Sequence, residues 1–164
     1  MPNLVIVCVE DEPDVLEAVV RELEPLEDLF AVEAAEDAAD ARSVLHRVWD
    51  GGDEVGVIFC DHIMPGESGV DLLVEMQNDD KWRHTRKVLL TGQAGLEATV
   101  KAVNEADLAH YIAKPWETEE LVTIAKEQMT RYVIERDLNP YPYLKYLDAD
   151  LLGDQLRRHA ASDS

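Results

Sequence analysis

Leu4-Val5-Ile6-Val7-Cys8-Val9 is apolar at six successive positions and rich in β-branched side chains. A strand with one wet face alternates apolar and polar residues, whereas an unbroken apolar run needs cover on both faces, which a sheet flanked by helices supplies. The run ends at Glu10-Asp11-Glu12. Pro13 follows, a residue suited to the first turn of a helix, and Val15, Leu16, Val19, Val20, Leu23 and Leu26 then recur at helical spacing. A buried strand that leads directly into an amphipathic helix begins a βαβ unit, and a chain that repeats the unit has few other folds open to it.

The unit does repeat. Phe30 to Ala35 reads as a second strand, and Asp37 to about Val48 as a helix with Ala38, Ala41, Leu45 and Val48 on one face. Gly51-Gly52 marks a loop, after which Val55 to Cys60 forms a third buried strand that delivers Asp61. His62 to Ser68 is a loop with Pro65 and Gly66, and Gly69 to about Gln77 a helix carrying Val70, Leu73, Val74 and Met76. Lys87 to Leu90 is a fourth strand ending at Thr91-Gly92, Leu96 to Ala106 a fourth helix, and Ala109 to Ala113 a fifth strand that stops at Lys114-Pro115. The expectation is a three-layer, doubly wound α/β fold around a five-stranded parallel sheet.

In such a sheet the carboxyl ends of the strands converge on one crevice, where ligands bind. Here those ends carry Glu10, Asp11, Asp61, Thr91 and Lys114. Three carboxylates a few ångströms apart repel one another by several kcal/mol at an effective dielectric of ~20, so a cation is required among them. Mg²⁺ suits the set, because it prefers carboxylate, carbonyl and water oxygens and keeps positions open for a phosphate. Neither histidine nor cysteine belongs to the set, which argues against zinc.

Together these five positions resemble the receiver domain of two-component response regulators. Pro65 four residues after Asp61, Gly69 opening the next helix and Tyr111 three residues before Lys114 match as well. The intervals are 50 residues from Asp11 to Asp61, 30 more to Thr91 and 23 more to Lys114. The first is several residues long for the family, and the loop from Trp49 to Gly56 can absorb the excess. The resemblance implies a flavodoxin-like sheet of strand order 2-1-3-4-5. It implies that Asp61 is the phosphoacceptor, taking the group from a histidine kinase or a histidine phosphotransfer protein. Mg²⁺ is then held by Asp11 and Asp61 directly, by Glu10 through water and by the backbone carbonyl of Ile63. Lys114 pairs with Asp61 and afterwards with a phosphoryl oxygen, and Thr91 donates its hydroxyl to another. Thr91 and Tyr111 form the switch, Tyr111 turning into the space that Thr91 leaves, with the fourth helix, fifth strand and fifth helix as the output face toward a downstream protein. Ile63, two after Asp61, and Gln93, two after Thr91, stand at positions that in the family tune the access of water to the acyl phosphate. His62 reads as a solvent-facing loop residue. A domain of this kind signals, and its chemistry extends at most to self-catalysed phosphotransfer and autodephosphorylation.

Two other readings use the same residues. An aspartate-nucleophile phosphatase needs a second aspartate two positions after the nucleophile, where Ile63 stands. A pseudo-receiver that only assembles with partners would not need all five chemical positions filled.

The receiver-like part is assigned to residues 3–130 and a helical C-terminal extension to residues 131–164. Glu117 to about Leu138 reads as one extended helix with Leu121, Ile124, Ala125, Met129, Tyr132 and Val133 along a stripe broken by Gln128, its last turns projecting beyond the sheet. Asn139-Pro140-Tyr141-Pro142 ends it. A short helix from about Asp148 to His159 follows, too small for a core of its own. This tail packs back on the receiver, pairs two copies as a homodimer, or leads into an output domain. With 35 acidic and 15 basic residues the net charge is −20, which disfavours nucleic acid and anionic membranes as partners and suits solubility or a salt-adapted host. There is no run of 18 apolar residues and no charged-plus-apolar leader, so a cytoplasmic location is expected. Cys8 and Cys60, both within apolar strands, read as small core residues in a reducing compartment.

Overall fold

The computed structural model describes residues 2–92 and 96–162. The strands are β1 (Leu4–Val9), β2 (Ala31–Ala35), β3 (Glu54–Asp61), β4 (Arg86–Thr91) and β5 (His110–Ala113). The helices are α1 (Pro13–Leu23), α2 (Ala38–Asp50), α3 (Gly69–Gln77), α4 (Leu96–Ala106), α5 (Glu120–Glu135) and α6 (Ala149–Ser162), with short 3₁₀ segments at Glu24–Leu26 and Tyr141–Tyr146. All strand pairs are parallel, in the order β2-β1-β3-β4-β5 expected from the sequence.

Strand alternation divides the apolar side chains between two cores. Val5, Val7 and Val9 of β1, with Ile58, Cys60 and Leu89, pack under α2, α3 and α4. Leu4, Ile6 and Cys8, with Val57, Phe59, Val88 and Leu90, pack under α1 and α5. The unbroken apolar run of β1 is thus buried on both faces. Cys8 and Cys60 fall on opposite faces of the sheet, and burial pushes the Cys8 thiol up to about 12 and the Cys60 thiol up as well, so both act as core residues.

Helix starts follow local chemistry. The Asp37 carboxylate accepts the Asp40 amide at 2.8 Å ahead of α2, and the Ser68 hydroxyl accepts the Asp71 amide at 3.1 Å ahead of α3. Gly56 and Gly69 are set by contact. A Cβ at Gly56 would lie 2.3 Å from Met129 Sδ, and one at Gly69 would lie 1.7 Å from the backbone oxygen of Asp61.

The C-terminal helix departs from expectation, while the segment after it follows one of the three courses left open, packing back on the sheet-bearing part of the chain. The helix opens at Glu120 rather than Glu117, because Glu119 takes a left-handed conformation (φ 72°) and the Glu117 amide is satisfied by the Glu120 carboxylate at 3.0 Å. Its last turns do not project. Tyr132 donates to Glu54 at 2.5 Å, Arg136 lies 3.6 Å from the same carboxylate, and Glu135 pairs with Arg86 at 2.8 Å. Gln128 does not break the stripe, since it is buried and accepts the Arg86 Nε–H at 2.9 Å. The 3₁₀ segment Tyr141–Tyr146 then turns back. Tyr143 is buried 6.1 Å from Phe30, ring to ring, and donates to the Pro2 carbonyl at 2.7 Å. Tyr146 and Lys145 both hold Asp28, and the Asp148 amide donates to the buried Thr130 hydroxyl at 2.7 Å. None of the described helices is long and apolar enough to cross a membrane.

Candidate functional site

The C-terminal ends of β1, β3, β4 and β5 place Glu10, Asp61, Thr91 and Lys114 at one edge of the sheet, with Asp11 in the turn that enters α1. Register enforces this: Val9 pairs with Cys60, Asp61 with Leu90, and Thr91 with Ala113, so each chemical residue stands within about one position of the next strand's. The Lys114 amide closes the row by donating to the Thr91 carbonyl at 2.8 Å, and the Lys114–Pro115 peptide is cis.

One oxygen from each of Glu10, Asp11 and Asp61 can be chosen so that all lie within 4.8 Å of one another. At that distance each pair of charges repels by roughly 3 kcal/mol at an effective dielectric near 20. Lys114 is the resident counter-charge, with its Nζ 2.9 Å from Glu10 Oε2 and 3.1 Å from Asp61 Oδ1. The expected pairing of Lys114 with Asp61 is therefore present but shared with Glu10. The sharing has a cause in burial: Glu10 is 1% exposed and Asp61 6%, and a buried carboxylate must be satisfied. The other Glu10 oxygen accepts the Glu12 amide at 3.3 Å.

Glu10 is held up at about 6, chiefly by burial, with the hydrogen bond from Lys114 lowering it and the charge of Asp61 raising it. Burial pulls the Lys114 ammonium down, but the hydrogen bond to Glu10 and the charge of Asp61 outweigh this and hold it above its ordinary value. Three carboxylates against one ammonium leave two negative charges, which one divalent cation balances. The donors are all oxygen, and the cluster borders a groove of about 350 Å³ lined by Glu10, Asp11, Pro13, Leu16, Glu17 and Glu36, among others. The residues present thus fit a hard divalent ion with access from solvent.

Thr91 is buried, and its hydroxyl donates to the Gly92 carbonyl at 3.1 Å. Tyr111 lies on β5 and is 55% exposed, more open than the half-buried position usual for a strand aromatic. Ile63 follows β3 and is 73% exposed, which is compatible with a role for its backbone carbonyl alone. Gln93 lies outside the described residues. His62 is not the solvent-facing residue expected from its loop position: it is half-buried, and its Nδ1 is enclosed without a hydrogen-bond partner among the described residues.

Two supporting residues carry little sequence signal. Arg42 on α2 reaches Glu67 in the loop after Asp61 and Glu75 on α3, across sequence separations of 25 and 33 that no local pattern encodes. Trp116 Nε1 donates to Glu22 of α1 at 2.5 Å. Ser68, expected only as the end of the loop, caps α3, and a serine immediately before a helical run is the signal that marks such a cap.

Residues 6–126 match the family model of the response regulator receiver domain. The chain is 33% identical over 132 residues to the hydrogenase transcriptional regulatory protein HoxA of Bradyrhizobium diazoefficiens, covering 80% of this chain and 25% of that protein. It is 31% identical over 126 residues to the phosphate regulon transcriptional regulatory protein PhoB of Escherichia coli, covering 77% of this chain and 52% of the other. The chain therefore spans from a quarter to about half the length of these relatives. Among solved structures it is similar to the signal receiver domain of an HD domain-containing protein from Pseudomonas fluorescens, with TM-score 0.72, 26% identity, and 84% and 94% of the two chains covered. It is also similar to a CheY-like response regulator receiver domain protein from Methanospirillum hungatei, with TM-score 0.68, 24% identity, and 80% and 97% covered, a likeness that bears on the fold alone.

Proposed function

We propose that this chain, which belongs to the response regulator receiver domain family of two-component systems, accepts a phosphoryl group on Asp61 from the histidine of a kinase or phosphotransfer protein. The observation that carries the reading is the shared ion pair of Lys114 with Glu10 and Asp61 beside the three-carboxylate cluster. The bond from phosphorus to the donor imidazole nitrogen breaks as the bond to an Asp61 oxygen forms, and the imidazole leaves with a proton from solvent. Positioned cations are what such a transfer needs, because charge gathers on the equatorial oxygens of the group in flight.

Asp11 and Asp61 would hold Mg²⁺ directly, with Glu10 through water and the Ile63 carbonyl completing the protein's share. When bound, the ion supplies charge neutralisation at the phosphoryl oxygens. Asp61 is the nucleophile, and its burial at a strand end fixes the line of attack. Lys114, already bridging two carboxylates, can trade the Asp61 oxygen for a phosphoryl oxygen without leaving Glu10, and a compact ammonium suits that exchange. The Thr91 hydroxyl would leave the Gly92 carbonyl for a second phosphoryl oxygen. Tyr111, now outward, would then move in, and α4, β5 and α5 would present a changed face to a downstream protein. In this reading residues 3–130 form the receiver and residues 131–164 a helical extension.

Incubation with a small phosphodonor and Mg²⁺ tests this. Labelling is expected in the wild-type chain and is lost in Asp61→Asn, which keeps the fold by circular dichroism. Labelling that persists in Asp61→Asn would overturn the assignment.

A further inference from the structure

The loop His62–Ser68 joins the end of β3 to α3 and runs directly from Asp61, so its path decides where the Ile63 carbonyl sits. Its ends are fixed locally. The Gly69 amide donates to the His62 carbonyl at 2.9 Å, and Ser68 caps α3. Between them lie Pro65 and Gly66, the latter at φ 86°, and then Glu67, whose carboxylate meets the guanidinium of Arg42 on α2. The same guanidinium holds Glu75 on α3, by Nε to Oε2 at 2.7 Å and Nη2 to Oε1 at 3.2 Å. One planar fork therefore fixes a loop residue against two helices, and a fork sets geometry in a way that a point charge does not. Arg42 and Glu67 are 32% and 35% exposed at the side chain, so the pair contributes little to overall stability. Its consequence lies in where it holds the loop.

We propose that Arg42 is a positioning residue for Mg²⁺ binding and phosphoryl acceptance at Asp61, acting through Glu67. The proposal rests on the reading of the site given above. It makes a prediction opposite in sign to simple electrostatics. Removing a cation near an acidic cluster strengthens the attraction for Mg²⁺, whereas loosening the loop that carries a ligand weakens binding.

Mg²⁺ affinity measured by titration calorimetry on the full chain at fixed ionic strength separates the two. Arg42→Ala is expected to raise the Kd for Mg²⁺ roughly three- to tenfold, at or below the lower edge of the 10- to 100-fold range for direct outer-shell partners. Labelling by a small phosphodonor at subsaturating Mg²⁺ should slow by a similar factor. Arg47→Ala is the control. It removes the same charge from the same helix, where Arg47 pairs with Glu33 at 2.9 Å, and it should leave the Kd unchanged or slightly lower. Arg42→Lys keeps the charge but not the fork, so it should weaken binding as Arg42→Ala does. In a Glu67→Gln background, Arg42→Ala should add no further loss, as required of two residues acting through one contact.

An Arg42→Ala Kd equal to or lower than that of Arg47→Ala would overturn the role of Arg42, as would wild-type affinity in Arg42→Lys or a full additional loss in the Glu67→Gln background. If Arg42→Ala does not fold, Arg42→Lys and Glu67→Gln carry the same comparison. A wild-type chain that binds no Mg²⁺ would overturn the reading of the site itself along with this one, so the two failures are distinguishable.

Discussion

Lys87 is the second residue of β4, at 1% exposure, and its Nζ meets neutral oxygens: Gln77 Oε1 at 3.0 Å, the Arg83 carbonyl at 3.2 Å and the Thr85 carbonyl at 3.0 Å. Burial pulls the ammonium down from 10.5 to about 8, with Asp107 opposing and Arg86 assisting. At neutral pH the folded and unfolded chains both carry the proton. Between about 8 and 10.5 the unfolded chain still holds it while the folded chain has released it, and above 10.5 neither does. Stability attributable to this position therefore rises with pH across that window and is lost as pH falls through about 8. The shift from 10.5 to about 8 corresponds to about 3 kcal/mol. Lys87→Met removes the titration while keeping most of the side-chain volume. Urea denaturation of both proteins from pH 7 to 10.5 isolates the effect, because every other titrating group cancels in the difference. Wild type should gain about 3 kcal/mol on the variant over that range. A difference that stays flat would show that the three oxygens solvate the ammonium as well as water does, and would refute the reasoning.

Gly69→Ala places a Cβ 1.7 Å from the Asp61 carbonyl oxygen and 2.8 Å from Cys60 Sγ, so a loss of about 3 kcal/mol or more is expected in urea melts, together with loss of phosphodonor labelling. Wild-type stability in that variant would mean that α3 does not abut β3 as described. Tyr143→Ala should cost about 3–5 kcal/mol and open residues 139–148 to limited proteolysis, because the ring is buried against Phe30 and its hydroxyl ties the tail to Pro2. Tyr143→Phe, which loses only the hydroxyl, should cost about 1 kcal/mol. A tail equally protected in Tyr143→Ala would refute the anchoring role. Phe59→Ala, within the core under α1 and α5, should cost about 3–5 kcal/mol in the same melts, and a cost under 1 kcal/mol would contradict its burial.

The strands were legible because their surroundings are simple. Leu4 to Val9 and Val55 to Cys60 are covered on both faces, so every side chain answers to the same demand for apolar matter and the sequence shows an unbroken run. Edge and terminal elements answer to mixed demands. Local sequence at Glu117 to Glu120 favours helix, and nothing in it signals the left-handed Glu119 that delays the start of α5 to Glu120. Gln128 looks like a flaw in an apolar stripe because its partner, Arg86, lies 42 residues earlier and supplies a donor that no periodicity reveals. The folding back of the tail rests on Tyr143, Tyr146 and Thr130, each satisfied by a group more than a dozen residues away.

The site divides along the same line. Which residues would meet was readable, since topology alone brings the ends of parallel strands to one edge, and polar residues there have no structural reason to interrupt an apolar run. How they would pair was not. Glu10 and Lys114 are 104 residues apart, and their contact follows from Glu10 being nearly sealed from water, a fact of packing rather than of pattern. That sealing bears on the chemistry. If Glu10 takes one face of the ammonium, Asp61 is never its sole partner, and in the proposed transfer the energy lost on replacing the Asp61 oxygen by a phosphoryl oxygen would be smaller than for an exclusive buried pair. Glu10→Gln separates the alternatives. Lys114 would then turn wholly to Asp61, and labelling by a small phosphodonor should slow even at saturating Mg²⁺, whereas an effect on Mg²⁺ affinity alone would reduce Glu10 to a metal-side residue.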